Sequence, residues 1–146
     1  VLERVGEADL NVFAAAVSDF RPADPLDHKV KRSRDGDALT VQLEANPDVA
    51  AGSKDHRRPG SVTVGFALET EDLLENARAK MGRKGFDLVV ANPASEPDAG
   101  FEVDTNRVLL VGPEQEPEAL PLLSKDEVAE LILDRVAPLM GEDERA

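Results

Sequence analysis

The chain has 146 residues and formal net charge −13, with no cysteine and only 3% aromatic residues, all of them Phe. That length suits one domain over residues 1–146, burying about 70% of its unfolded surface in a core of Ala, Val and Leu. Thirty acidic against seventeen basic residues exclude the basic footprint of a nucleic-acid binder. The lack of cysteine excludes disulfides, thiolate metal sites and a Cys nucleophile and suits the cytoplasm, and no apolar run reaches the ~20 residues of a membrane helix.

The first residues, VLERVGEADLN, read as the tail of a helix and a loop, so the chain is expected to start inside a domain and to lack its N-terminal strands. The apolar run Val12 to Val17 then predicts a strand buried on both faces, as in a parallel sheet. It stops at Ser18 and Asp19, and a loop with Pro22 and Pro25 leads to four basic residues, Lys29, Lys31, Arg32 and Arg34. Ligands of parallel sheets sit beyond the carboxyl ends of the strands, which is where Asp19 falls. A cationic cluster in an acidic chain points to an anionic, phosphate-bearing ligand.

Ala38 to Leu43 alternates in character after the turn residues Asp35 to Asp37, the pattern of a hairpin. Asn46-Pro47-Asp48 precedes a short helix continuing from Val49 toward Gly52, and Lys54 to Gly60 is a polar loop. Ser61 to Leu68 is a second buried strand interrupted by Gly65. Thr70, Glu71 and Asp72 open a helix to Gly82 or Gly85, Phe86 to Ala91 is a third strand closed by a turn at Asn92-Pro93, and Arg107 to Val111 a fourth. Ser124 and Glu127 form a capping box for a last helix from Lys125 to about Leu139. Strands alternating with helices predict an α/β fold: a Rossmann-like three-layer sandwich around a mostly parallel sheet.

Several residues could carry chemistry, each with a plainer reading beside it. Lys80 and Lys84, four apart on one helix face, complement the helix dipole or clamp a phosphate. Asn46-Pro47-Asp48 caps a helix or offers free backbone N–H groups to an anion. Phe66 after Gly65 is a core ring or a platform for a planar base. Phe101, Asp104 and Asn106 make a surface turn or a loop over a site. His28 and His56 are isolated and expected in solvent, and no Gly-rich phosphate loop, GxGxxG fingerprint or Ser elbow is present.

Taken in order, AAAVSDFRP (14–22), KVKR (29–32), NPD (46–48), GFALET (65–70), the Lys80/Lys84 pair, DLVVAN (87–92) and the F-x-x-D-x-N element (101–106) resemble phosphopantothenoylcysteine synthetase. The match is to the C-terminal two-thirds of this ligase domain, which in bacteria is often fused to a flavin-dependent decarboxylase. The resemblance implies coenzyme A biosynthesis by a cytoplasmic homodimer. CTP would activate 4′-phosphopantothenate as an acyl-cytidylate with release of pyrophosphate, and L-cysteine would then displace CMP. Carried over by motif, Asp19, Lys29, Asn46, Pro47, Asp48, Val49, Phe66, Lys80 and Lys84 would contact the nucleotide. Lys29 would act in catalysis from a flap over residues 29–32. Mg²⁺ would travel with the triphosphate without a permanent metal site, and FMN would be present only with a fused decarboxylase. The rival readings are a truncated nucleotide-binding or dimerisation module without chemistry and a nicotinamide-dependent oxidoreductase, the latter on fold analogy alone.

Overall fold

A computed structural model describes residues 1–29, 39–94, 103–114 and 116–141. The chain divides into two compact units, residues 1–15 with 49–146, and residues 16–48.

In the larger unit, helix α1 (Leu2–Val5) leads into strand β1 (Leu10–Phe13). The smaller unit holds β2 (Phe20–Pro22) and β3 (Leu43–Ala45). The larger unit then continues through α2 (Val49–Gly52), a 3₁₀ turn at Lys54–His56, β4 (Val62–Glu69), α3 (Leu73–Lys84) and β5 (Leu88–Pro93). It ends with β6 (Thr105–Asn106), β7 (Leu109–Val111), β8 (Glu118–Ala119), β9 (Leu123–Ser124) and α4 (Lys125–Gly141).

Five strands form the main sheet in the order β1-β4-β5-β7-β8. The ladders β1–β4 and β4–β5 are parallel and the longer ones, whereas β7 and β8 add an antiparallel margin. Side chains alternate across the pleat and split the core in two. Val62, Val64, Leu88 and Val90 face one way, against Val128, Ile132 and Val136 of α4. Ala67, Val89 and Ala91 face the other, against Ala50 of α2, Ala77 and Met81 of α3, and Phe86. The result is the expected α/β sandwich, helices on both faces of a mostly parallel sheet.

Some boundaries differ from the sequence reading. The first strand occupies Leu10–Phe13, which among the described residues is an edge strand paired with β4 alone, and Val12 is 51% exposed. The residues from Ala14 to Val17 form no strand; three consecutive alanines lack the β-branched bulk that favours one. Asn92 and Pro93 belong to β5 rather than to a turn, continuing the ladder to Leu68 and Glu69. The two-residue strands β6, β8 and β9 are too short to leave a periodic signal.

The last helix starts as expected. Ser124 Oγ and the Ser124 N–H donate to Glu127 Oε2 at 2.6 and 2.8 Å, and the Glu127 N–H donates back to Ser124 Oγ at 3.2 Å. The Ser124 hydroxyl bond and then the backbone bond hold the Glu127 carboxyl below its ordinary pKa. A carboxyl depressed in the folded state contributes stability above its unfolded pKa and loses it as pH falls through the folded value. A carbon-detected NMR titration should therefore find Glu127 below ordinary glutamate, with Ser124→Ala returning it upward; an unmoved value in that variant would contradict the capping geometry.

Gly65 has a packing reason. A Cβ placed on it would collide with three ring atoms of Phe86. Gly65→Ala should cost about 1–3 kcal/mol in urea unfolding by forcing that ring aside. A Gly65→Ala protein as stable as the parent would contradict this close approach.

The smaller unit is a two-stranded antiparallel ribbon. Phe20 pairs with Ala45, Arg21 with Glu44 and Pro22 with Leu43. Period-2 alternation puts Phe20, Pro22, Leu43 and Ala45 on one face, where Phe20 is 58% and Leu43 59% exposed. Arg21 and Glu44 share the other face, joined at 2.7 Å. The expected strand over Ala38 to Leu43 thus lies further along, at Leu43–Ala45, and the turn at 35–37 lies outside the described residues.

Candidate functional site

In the larger unit the lysine pair stands on α3, one helical turn apart, both residues half-buried. The helix begins at Leu73, not Thr70. Asp72 takes a left-handed conformation with φ 48° and makes no side-chain cap. Instead, Asn76 Nδ2 reaches back to the Glu71 carbonyl at 2.9 Å. At the other end Gly85, with φ 61°, turns the chain out of the helix and donates its N–H to the Met81 carbonyl.

Lys80 Nζ lies 2.5 Å from Glu69 Oε1, at the carboxyl end of β4. That oxygen is buried and accepts no well-angled hydrogen bond, so charge rather than direction holds the contact. The Lys80 side chain is 31% exposed, against 13% for Glu69. Part of the Lys80 side chain thus reaches solvent, while its carboxylate partner is largely buried. Phe66 packs into the core on the α4 side of the sheet, across from α3. The structure thus keeps the ring and the lysine pair on opposite faces.

Arg57, inside the segment read as a plain polar loop, organises the ground beneath α3. Its Nη2 donates to the Ala50 carbonyl at 2.7 Å, to the Lys84 carbonyl at 2.9 Å and to Ser53 Oγ at 3.1 Å. Its Nη1 donates to the Gly85 carbonyl, and Nε to Ser53 Oγ at 3.2 Å. The guanidinium carbon stands 5.6 Å from the centroid of Phe13 and 5.9 Å from that of Phe86. Burial lowers its pKa, with the negative charge of Asp87 opposing. Neighbouring Arg58 instead forms a surface ion pair with Asp9. No spacing in the sequence separates these two arginines; only burial does.

In the smaller unit, Asp19 and Asn46 come together. The Asn46 N–H donates to the Asp19 carbonyl at 2.8 Å and its Nδ2 to the Ser18 carbonyl at 2.7 Å, while Oδ1 accepts from Arg21 Nη1 at 3.2 Å. Asn46 therefore fastens the Ser18–Asp19 backbone rather than capping a helix. Asp19, Lys29, Pro47 and Asp48 are exposed, and Val49 opens α2 in the larger unit. Lys31, Arg32, Arg34 and Phe101 lie outside the described residues.

The remaining candidates are placed as follows. His28 and His56 are exposed. Asn106 is buried in β6, its Oδ1 accepting from the Arg107 N–H at 3.0 Å, and the Asp104 carbonyl accepts from the Lys125 N–H at 2.9 Å. Among the described residues no three His, Cys, Asp or Glu side chains converge to hold a metal, and no helix is long and apolar enough to cross a membrane. What the described residues offer is positive charge on mobile stems, suited to an anionic ligand.

The sequence matches the family model of the DNA/pantothenate metabolism flavoprotein C-terminal domain over residues 1–140. It is 37% identical over 141 residues to the coenzyme A biosynthesis bifunctional protein CoaBC of Vibrio vulnificus, covering 97% of this chain and 35% of that protein. The chain thus spans about a third of this curated relative. A DNA/pantothenate metabolism flavoprotein from Streptococcus pneumoniae superposes with a TM-score of 0.71 at 25% identity, covering 94% of this chain and 64% of that one. A mutant of Cab2 in complex with phosphopantothenate-cysteine superposes at 0.67 and 23% identity, covering 91% of this chain and 46% of that one, and shares the fold.

Proposed function

Because this chain belongs to the DNA/pantothenate metabolism flavoprotein C-terminal domain family, we propose that it is the nucleotide-handling portion of a phosphopantothenate–cysteine ligase in coenzyme A biosynthesis. The carboxylate of 4′-phosphopantothenate attacks the α-phosphorus of CTP, forming a P–O bond as pyrophosphate leaves. The amine of L-cysteine then attacks the acyl carbon of this cytidylate, forming the amide as CMP leaves. Such in-line displacement asks the protein chiefly for position and for positive charge where negative charge develops.

The observation that carries this reading is the lysine pair on α3, with Lys80 resting on Glu69 at a parallel strand's carboxyl end. A triphosphate outbids one carboxylate in charge, so Lys80 exchanges Glu69 for phosphate when the nucleotide arrives. Lys84 adds a second charge one turn away. In the smaller unit Lys29 is the proposed catalytic charge, and Asn46 fastens the Ser18–Asp19 backbone. Val49, at the start of α2, is a further nucleotide contact in this reading, whereas Phe66, on the α4 side of the sheet, takes no part in the lysine site. Mg²⁺ enters as part of the substrate, bound to the phosphates, a mode that needs few protein ligands. The substrates are charged and water-soluble, which suits a cytoplasmic reaction.

The test uses the full-length protein that carries this sequence. Pyrophosphate should be released from CTP only when 4′-phosphopantothenate is present, and faster than from ATP. Lys29→Gln should lower turnover about 100-fold with an unchanged circular dichroism spectrum. No release from either nucleotide would overturn the ligase reading in favour of a module that binds without chemistry.

The functional form is a homodimer. The support is the ribbon of the smaller unit, whose apolar face carries exposed Phe20 and Leu43; an isolated pair of strands is marginal without a cover for such a face. Phe20→Asp should convert a dimer to a monomer in sedimentation velocity. A monomeric parent, or a variant that stays dimeric, would contradict it.

A further inference from the structure

We propose that Arg57 is a positioning residue for Lys84, setting where the C-terminal end of α3 stands relative to α2. The inference rests on reading α3 as a phosphate-binding helix.

Arg57 is not needed to end α3. Gly85 already turns the chain, its N–H bonds to the Met81 carbonyl, and the Phe86 N–H bonds to the same carbonyl at 3.1 Å. The carbonyls of Lys84 and Gly85 are left over, and Arg57 takes both. With the same fork it takes the Ala50 carbonyl of α2, and buried Ser53 completes the grip by donating to that carbonyl at 2.8 Å. One guanidinium thus ties α2, which begins at Val49, to the residue whose side chain is a candidate phosphate ligand. The planar five-donor fork is what permits this; an ammonium has the charge but not the geometry.

Even partial burial of a guanidinium is costly, and its hydrogen-bond partners here are carbonyls and the Ser53 hydroxyl, with two ring faces beside it. A helix end that only needed satisfying could leave its last carbonyls to water. The arrangement instead fixes two segments at a defined spacing, and small misplacements of a charge at a phosphate are expensive in rate.

The test is a double-mutant cycle in the full-length protein, reading the KM for CTP against the KM for cysteine. Arg57→Gln is expected to raise the KM for CTP about tenfold while leaving that for cysteine unchanged. Lys84→Gln is expected to do the same, and the double variant to be no worse than Lys84→Gln alone. Arg57→Lys should keep the melting temperature near the parent's yet fail to restore the KM for CTP, and it carries the test alone should Arg57→Gln not fold. Equal rises in both KM values, additive effects in the double variant, or a parental KM for CTP in Arg57→Lys would overturn the proposal. If Lys84→Gln leaves the KM for CTP unchanged, the phosphate reading of α3 fails and this proposal with it. A loss in Lys84→Gln beside a parental Arg57→Gln defeats this proposal alone.

Discussion

The ring of Phe86 lies directly on Gly65, filling the place where any other residue would carry a Cβ. Much of the α3 side of the sheet is arranged around that contact. Phe13 stands 6.0 Å from Phe86 between centroids, and Arg57 sits against both rings. From there the guanidinium reaches the carbonyls that end α3 and the carbonyl of Ala50. In a chain with no Trp or Tyr, two phenylalanines and one half-buried arginine do the specifying that larger aromatics do elsewhere. The small residues around them, Ala50, Ala67, Ala77 and Ala91, let the helices approach the sheet closely.

What was legible in the sequence follows the strength of each local signal. The central strand, the end of α3 at its terminal glycine and the Ser124–Glu127 box were readable because a buried apolar run, a stop and a cap, respectively, marked them, whereas the start of α3 lies at Leu73, without a side-chain cap. The first strand was misplaced because an apolar run of alanines looks buried when only composition is read. Among the described residues the strand sits at the sheet edge and shows Val12 to solvent. The ribbon strands were displaced because alternation over Ala38 to Leu43 fixes no register without its partner. Asn92-Pro93 resembled a turn, yet proline is tolerated at a strand's last residue, where the ladder ends.

The candidate site was legible in part and for a similar reason. The spacing of Lys80 and Lys84 states which helix face they share, and that is how they stand. The partner of Lys80 was not legible, since Glu69 is brought to it by the fold and not by proximity in the chain. Asn46 read as a helix cap because caps and loop clasps use the same side chain; which backbone it serves depends on a segment 28 residues away. Arg57 left no trace beside Arg58, because a tertiary contact with carbonyls has no sequence period.

The proposed function depends on bringing positive charge to a triphosphate in a chain of formal net charge −13. Lys80 is paired with the largely buried carboxylate of Glu69, and in the proposed function the triphosphate replaces that partner. A crystal structure of the full-length protein with CTP and Mg²⁺ examines this most directly. The account predicts phosphate oxygens within hydrogen-bonding distance of the Lys80 and Lys84 ammonium groups, with Lys80 released from Glu69. Phosphates bound away from α3, with Lys80 still resting on Glu69, would contradict it.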